Sequence, residues 1–203
     1  MADTTLVEQQ TIIFLGPQGS GKGTQVQLLK DYLTLQDPSR PIIHIDMGAE
    51  LRKFVSGGGY TQDAVDASLK RGELQPVFLT GYLVAKAFID GLKGNEHVIV
   101  DGFPRTLENL MFFNSGVSFY KRLHPTLLYV NVSDEEAIKR LIKRGRYDDT
   151  EDNIRKRLQW TRDQVMPTVE QFRANPDYRC LEINGEQSVE DVQKEIITKL
   201  GLV

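Results

Sequence analysis

A glycine-rich segment, residues 16–24, constrains this chain more than any other feature. It reads Gly-Pro-Gln-Gly-Ser-Gly-Lys-Gly-Thr and directly follows the apolar run 11–15, which is typical of a buried β-strand. A helical pattern follows over residues 25–30. Glycine lets such a loop curl until several backbone N–H groups converge, and the N-terminus of the next helix adds its positive dipole end. The order strand, loop and helix therefore predicts a polyphosphate site, with a nucleoside triphosphate as ligand.

The residues of this loop are expected to surround the phosphates. They are Gly16, Gly19, Ser20, Gly21, Lys22, Gly23 and Thr24. The ammonium group of Lys22 can reach the β- and γ-phosphates, and the hydroxyl of Thr24 can approach Mg²⁺. The usual pattern has the hydroxyl residue directly after the lysine, whereas Gly23 intervenes here. A plain glycine-rich turn is the alternative, and it would not require a strand before it and a helix after it.

Five apolar runs are spaced along the chain, with helical patterns between them. They cover residues 12–15, 42–45, 97–100, 126–132 and 179–183. Continuous apolar strands that alternate with helices predict an α/β fold with a parallel sheet covered on both faces. The capping box at 133–136 predicts a helix that ends near Arg144. A second helix is predicted to start near Thr150 and to bend at Pro167, because proline removes a helical hydrogen bond.

Composition excludes several classes of protein. With a net charge of −3 over 203 residues, the chain lacks the basic balance of a nucleic-acid-binding protein. A single cysteine, Cys180, rules out an internal disulfide and a cysteine-clustered zinc site. No signal peptide pattern and no apolar run of membrane-spanning length is present. We therefore expect a cytoplasmic protein without membrane or nucleic-acid partners and without zinc.

The run 98–100 ends in Asp101, where an acid can hydrogen-bond the waters of a hydrated Mg²⁺. Taken alone, an acid that ends a strand is more often a turn residue or a helix cap. Here it opens the hexapeptide 101–106, Asp-Gly-Phe-Pro-Arg-Thr. The glycine-rich loop, the apolar strand and this hexapeptide together resemble the nucleoside monophosphate kinases, and adenylate kinases most closely. The resemblance extends from about residue 11 to residue 192.

The resemblance implies a fold and an activity. The expected fold is that of P-loop NTPases, a five-stranded parallel sheet with helices on both faces. One kinase domain is expected, with its core in residues 1–45, 78–143 and 151–203, a monophosphate-binding insertion at 46–77 and a vestigial lid at 144–150. The implied reaction is the reversible, Mg²⁺-dependent transfer of the γ-phosphoryl group of ATP to a nucleoside monophosphate.

Several residues match motifs of these kinases. Arg105 and Arg52 resemble the arginines that bind the acceptor phosphate. The other residues implied on the acceptor side are Met47, Gly48, Leu74, Gln75, Gly102 and Asn109. The segment 184–189, which includes Gln187, is similar to the loop that contacts the ATP adenine, largely through backbone atoms.

A basic cluster spans residues 140–157, and such a run alone is usually a solvated helix face. Its spacing resembles the arginines that border the lid of these kinases. By that resemblance, Arg140 lies near the adenine and ribose, and Arg155 stays on the surface. The implied catalytic residues are Lys22, Arg105, Arg144, Arg146 and Arg157. Asp148 and Asp149 are implied to orient the arginines.

The chain departs from the adenylate kinase pattern at the acceptor base and at the lid. Residues 46–49 read Asp-Met-Gly-Ala where the family has Ser-Thr-Gly-Asp, and Asn109 replaces the glutamine that reads adenine. The asparagine resembles the UMP/CMP kinase pattern and makes UMP or CMP the alternative acceptor. AMP is the expected acceptor, because the chain resembles adenylate kinases most closely. Only Gly145 separates Arg144 from Arg146, whereas short-lid members carry several more residues there. We expect either more ATP hydrolysis or cover from another surface, such as a neighbouring subunit, although a monomer is the simplest expectation.

Other interpretations have less support. The three histidines share no ligand spacing, and Trp160 is expected to serve packing. A regulatory GTPase would need an Asn-Lys-x-Asp motif, which the sequence lacks. A non-catalytic nucleotide-binding module remains the alternative from another class, and it would not require the phosphate-binding arginines.

Overall fold

A computed structural model describes residues 8–146 and 149–202. Within these residues, five parallel strands form one sheet in the order β2-β3-β1-β4-β5. The strands are β1 (Thr11–Leu15), β2 (Ile42–Asp46), β3 (His97–Asp101), β4 (Thr126–Asn131) and β5 (Arg179–Asn184). The predicted α/β fold with a parallel sheet is confirmed, and every predicted strand lies within one residue of its observed bounds.

Helices connect the strands and cover both faces of the sheet. They are α1 (Lys22–Gln36), α2 (Met47–Val55), α3 (Tyr60–Lys70), α4 (Val77–Gly91), α5 (Leu107–Phe119), α6 (Asp134–Arg144), α7 (Glu151–Trp160), α8 (Met166–Ala174) and α9 (Val189–Leu200). The predicted N-cap is present, since the Ser133 side chain accepts a hydrogen bond from the backbone N–H of Glu136. The second bond of a capping box is replaced, because the N–H of Ser133 donates to Glu186. As predicted, α6 ends at Arg144, where Gly145 adopts the left-handed conformation that stops a helix.

Two apolar cores hold the helices against the sheet. On one face, α1 and α9 pack on residues of β1 and β4 around Phe14, Leu29 and Ile196. On the other face, α2, α4, α5 and α8 enclose a core that includes Phe103 and Phe113. Because both faces are covered, the ends of the strands are the places where the sheet meets ligands.

The helix that we expected to bend at Pro167 is interrupted just before it. Residues Thr161–Val165 form a π-helical segment, in which the N–H of Met166 donates to the carbonyl of Thr161. Pro167 then stands in the first turn of α8. Proline has no N–H and its ring crowds the preceding turn, so a widened turn accommodates it. None of the helices in the described ranges combines the length and apolarity that a membrane crossing requires.

Candidate active site

A cleft of about 620 Å³ opens at the carboxyl end of the sheet. Its walls come from the glycine-rich loop, the start of α2, the turn after α3, the loop after β3 and helices α6 and α7. Predicted site residues that line it are Gly19, Gly21, Lys22, Gly23, Thr24, Met47, Gly48, Arg52, Leu74, Gln75, Asp101, Gly102, Arg105, Asn109, Arg140, Arg144, Arg146 and Arg157. Segments far apart in the sequence thus meet in one place.

The glycine-rich loop has the backbone geometry that only glycine permits. Gly16 has a φ of +139°, and a Cβ atom there would lie 2.2 Å from the carbonyl oxygen of Val130. The Lys22 ammonium group donates to the carbonyl oxygens of Gly16 (2.8 Å) and Pro17 (2.7 Å) and to the hydroxyl of Ser20 (3.1 Å). Burial lowers the pKa of Lys22 to about 8, although the charge of Asp101 opposes the shift. The lysine is therefore held at the loop by neutral acceptors and one nearby carboxylate.

Asp101 brings a carboxylate to the same part of the cleft. Burial raises its pKa, while the charge of Lys22 opposes that rise. No described residue donates a hydrogen bond to this carboxylate, and the Thr24 hydroxyl also lines the cleft. A carboxylate that can accept hydrogen bonds and a hydroxyl group suit the water shell of Mg²⁺. Within residues 8–146 and 149–202, no group of three or more His, Cys, Asp or Glu side chains is arranged to hold a metal directly.

Arg105 is held from two sides. Its Nε–H donates to the carbonyl oxygen of Gly102 at 2.7 Å, and its Cζ lies 5.1 Å from the ring centroid of Trp160. A Cβ atom on Gly102 would lie 2.7 Å from Nη2 of Arg105, so a larger residue there would displace the guanidinium group. In the described part of the chain the two Nη groups of Arg105 have no acceptor. These donors are available for an anion.

Asp149 joins two arginines that line the cleft. Arg144 donates to both of its carboxylate oxygens, at 2.8 and 2.9 Å, and Arg157 donates to Oδ1 at 2.8 Å. Burial alone would raise the pKa of Asp149, but these two arginines hold it below its usual range. The backbone N–H of Arg146 also donates to this carboxylate. Asp149 thus contacts two of the arginines that it is predicted to orient, and Asp148 lies outside the described residues.

A fixed amide lies in the cleft wall, near the start of α5. Asn109 is buried, and its Nδ2 donates to the Thr80 hydroxyl at 3.1 Å. That hydroxyl is in reach of the carbonyl oxygens of Pro76 and Val77, which orients it as a donor toward them. Gln75, also in the cleft wall, bonds the hydroxyl of Ser68. The amide of Asn109 is therefore oriented before any ligand arrives.

Of the remaining predicted residues, one lines the cleft next to the loop after β5, and three lie outside the cleft wall. Arg140 donates to Glu136 and, at 2.9 Å, to the carbonyl oxygen of Gly185 in the loop after β5. The Gln187 side chain instead bonds the Asn184 carbonyl and is exposed. Gly16 and Ser20 support the loop from behind, without lining the cleft.

Trp160 and Asp46 both line the cleft, although neither was named as a site residue from the sequence. Trp160, expected to serve packing, lines the cleft and contacts Arg105. Asp46 caps α2 by accepting from the N–H of Ala49 at 2.9 Å, and it pairs in register with Asp101. Its position at the end of an apolar run is the signal that marked Asp101, so it could have been found. Nothing comparable marked Trp160.

The chain is similar to known proteins over most of its length. The sequence model of the adenylate kinase family matches residues 14–176. An adenylate kinase of Corynebacterium urealyticum is 31% identical over 189 residues, which cover 93% of this chain and 98% of the relative. Adenylate kinase 1 of Nostoc sp. is 33% identical, covering 94% of this chain and 98% of the relative. A uridylate kinase of Saccharomyces cerevisiae is 29% identical, covering 93% and 90%.

Proposed function

The chain belongs to the adenylate kinase family and is a nucleoside monophosphate kinase, and we propose that it converts ATP and AMP into two ADP. One observation carries the assignment of roles in the cleft. Lys22, Arg105, Arg144 and Arg157 converge at the carboxyl end of the sheet, and the Nη groups of Arg105 have no acceptor among the described residues. A concave site with such a concentration of positive charge suits the triphosphate of ATP together with the phosphate of a monophosphate.

The charges also suggest how transfer proceeds. The phosphate of a monophosphate is already anionic at neutral pH, so no general base is needed. Two anions must instead be brought in line, and the charge of a loose transition state must be stabilised. Arginines serve this purpose because their planar, permanently charged groups bind phosphate oxygens in pairs. We assign Arg105 and Arg52 to the acceptor phosphate, and Lys22, Arg144, Arg146 and Arg157 to the transferring group.

Asp149 is assigned an indirect role. Because one carboxylate accepts from both Arg144 and Arg157, it fixes the distance and the orientation of the two guanidinium groups. Such pre-organisation reduces the rearrangement that must accompany transfer.

Adenylate kinases use Mg²⁺ with ATP, and the donor set of this cleft suits that ion. Asp101 and Thr24 would hold it through its water molecules. When bound, Mg²⁺ neutralises phosphate charge and orients the β- and γ-phosphates.

The identity of the acceptor base is the most specific part of the proposal. Most of the similar kinases named above are adenylate kinases, which supports AMP. UMP or CMP is the second candidate, supported by Asn109, Met47 and the similarity to a uridylate kinase. The test is a panel of AMP, UMP, CMP and GMP at equal concentrations with Mg²⁺ and ATP. We expect the highest kcat/KM with AMP, and a tenfold preference for UMP would overturn this choice.

The same assay separates a kinase that transfers to nucleotides from a non-catalytic nucleotide-binding module. Formation of two ADP for each AMP consumed supports transfer. Binding of ATP without any diphosphate product from the four acceptors would favour the module.

The lid supports a further expectation. With only Gly145 between Arg144 and Arg146, little chain is available to exclude water from the phosphates. We propose that ATP hydrolysis without an acceptor is faster here than in relatives with longer lids, unless a second subunit covers the site. A slow background hydrolysis in a strict monomer would contradict this. The cytoplasm as the place of action stays a prediction.

A further inference from the structure

Trp160, the last residue of α7, contacts two separate parts of the acceptor side. Its indole N–H donates to the carbonyl oxygen of Gly72 at 3.0 Å. Its ring lies against the guanidinium group of Arg105, whose Cζ is 5.1 Å from the ring centroid. Gly72 belongs to the turn after α3, and Arg105 to the loop after β3. One side chain therefore joins two segments that are distant along the chain.

The contact with the ring leaves the phosphate-binding donors of Arg105 unused. The Nε edge of the guanidinium group is fixed by the carbonyl of Gly102 at 2.7 Å. A cation over an aromatic face is attracted by the charge distribution of the ring, which requires no hydrogen-bond acceptor. Together, the Gly102 carbonyl and the indole restrict the orientation of the guanidinium group. Its Nη donors are then already oriented toward the phosphate oxygens when the acceptor binds.

The contact with Gly72 holds a turn that lines the cleft. Gly72 is buried with a φ of +71°, and residues 73–75 after it belong to the cleft wall. A second side chain of α7 supports the same turn, because Nδ2 of Asn153 donates to the carbonyl of Lys70 at 2.9 Å. Asn153, Arg157 and Trp160 are spaced four and three residues apart, which puts them on one face of α7. The helix face that carries a phosphate-binding arginine also anchors the acceptor turn.

We propose that Trp160 is a positioning residue for the acceptor: it orients Arg105 and fixes the turn at Gly72, so that the acceptor phosphate and nucleoside meet a prepared site. This inference rests on the proposed function, since it requires a monophosphate acceptor. Neither contact involves the glycine-rich loop or Arg140. Trp160 therefore acts on the acceptor and leaves ATP binding unchanged.

The test uses two substitutions with different chemistry. Trp160→Leu removes both contacts, whereas Trp160→Phe keeps an aromatic face and loses the N–H donor. From the usual strengths of cation–π contacts and hydrogen bonds, we expect the acceptor KM to rise about tenfold in W160L and about threefold in W160F. We expect kcat to fall about tenfold in W160L, because a misoriented Arg105 also serves transfer less well. The KM for ATP should stay within about twofold in both variants. Gln159→Leu, the exposed neighbour on the same helix, is the matched control and should behave like wild type.

A double substitution tests whether Trp160 acts through Arg105. Calorimetric titration with the best acceptor should show a roughly tenfold loss of affinity for W160L in the wild-type background. In the Arg105→Ala background the additional loss should be about threefold or less, since only the Gly72 contact remains to be lost. A full tenfold loss in both backgrounds would contradict action through Arg105.

The possible failures can be told apart. If wild type produces no diphosphate from any of the four acceptors, the proposed function itself fails. If wild type is active but W160L matches Q159L, or raises both KM values equally, only the role of Trp160 is overturned. Should W160L not fold, as judged by circular dichroism, the rise of the acceptor KM alone in W160F decides the question.

Fluorescence tests the contact itself, because Trp160 is the only tryptophan of the chain. Arg105→Ala should change the tryptophan emission of the ligand-free protein. Unchanged emission would contradict the contact between Trp160 and Arg105.

Discussion

An arginine lies at each end of the β-sheet, buried at the amino end and half-buried at the carboxyl end, and the two differ in their hydrogen-bond partners. At the amino end, Arg122 is 5% exposed and donates to the Thr11 hydroxyl and to the carbonyl oxygens of Gln10 and Glu96, at 2.7–2.8 Å. At the carboxyl end, Arg105 has a single protein acceptor, the carbonyl of Gly102, among the residues described. Within the described ranges, Arg122 thus makes three hydrogen bonds with the protein, whereas Arg105 makes one and has both Nη groups left for a ligand.

The neighbours of the two arginines show the same contrast. Glu96 at the amino end is buried, and its carboxylate accepts from the backbone N–H groups of Lys93, Gly94 and Asn95. Asp101 at the carboxyl end accepts no hydrogen bond from the described residues. Burial alone therefore does not indicate function. A charged group with few hydrogen-bond partners in the protein indicates a ligand, whereas a charged group with many such partners indicates a structural role.

The largest effect is expected at the carboxyl end. Lys22→Ala and Arg105→Ala should each lower kcat on the order of 10³-fold, because transition-state charge loses its partner. The thermal unfolding midpoint of Arg105→Ala should stay close to that of wild type, since its side chain gives up a single hydrogen bond. Lys22→Ala should fold but unfold at a lower temperature, since two carbonyl oxygens and the Ser20 hydroxyl lose this donor. Steady-state kinetics and calorimetry measure the two quantities. Near-normal turnover in either variant would refute its assignment.

A matched pair on α7 sharpens the contrast within one helix. Arg157 is 4% exposed and bound to Asp149, whereas the Arg155 side chain is 63% exposed and pairs only with Glu151 within the described residues. Arg157→Ala should lower kcat by roughly 10²-fold or more, from lost transition-state stabilisation. Arg155→Ala should leave kcat within about twofold, as is usual for an exposed pair. Equal losses in the two variants would break the distinction.

At the amino end the same kind of substitution should affect stability instead. Arg122→Ala leaves the Thr11 hydroxyl and two buried carbonyl oxygens without this donor, which should lower the free energy of unfolding by about 3 kcal/mol. The kcat of the folded fraction should equal that of wild type. Urea unfolding, with kinetics at a temperature where the variant is folded, measures both. A loss of kcat beyond the loss of folded protein would show that this end takes part in function.

The smallest effect is a pH dependence at the amino end. His97 is fully buried, its Nδ1 accepts from the N–H of Gln10 at 3.0 Å, and burial, reinforced by the charge of Arg40, lowers its pKa to about 4. The imidazole of His97 therefore binds a proton near pH 6.5 in the unfolded state but only near pH 4 in the folded state. The free energy of unfolding falls as the pH drops through this window. The loss attributable to His97 should be about 2 kcal/mol by pH 5.

His97→Asn, whose side-chain oxygen can accept from Gln10, isolates this contribution. The difference in unfolding free energy between pH 7 and pH 5 should shrink in H97N. It should persist in His124→Gln, which changes an exposed histidine. An unchanged pH dependence in H97N would contradict the assignment to His97.

The sequence predicted the carboxyl end far better than the amino end, for a physical reason. Phosphate binding requires glycines in a short loop and arginines at fixed spacing, so the site leaves a pattern in the sequence. Arg122 instead donates mainly to backbone carbonyl oxygens. Because every residue has such an oxygen, no sequence pattern marks the partners of Arg122. Trp160 was missed for a related reason: its hydrogen-bond acceptor is a backbone oxygen 88 residues away. The exchange of a bend for a π-helical segment before Pro167 depends on local packing that periodicity does not encode.

The most direct test is a crystal structure with a bisubstrate analogue that links two nucleosides through a chain of phosphates. We expect Lys22, Arg105, Arg144 and Arg157 to contact phosphate oxygens, while Arg122 keeps its three protein acceptors. If the guanidinium groups at the carboxyl end instead face bulk solvent, with the phosphates bound elsewhere, the proposed site is wrong.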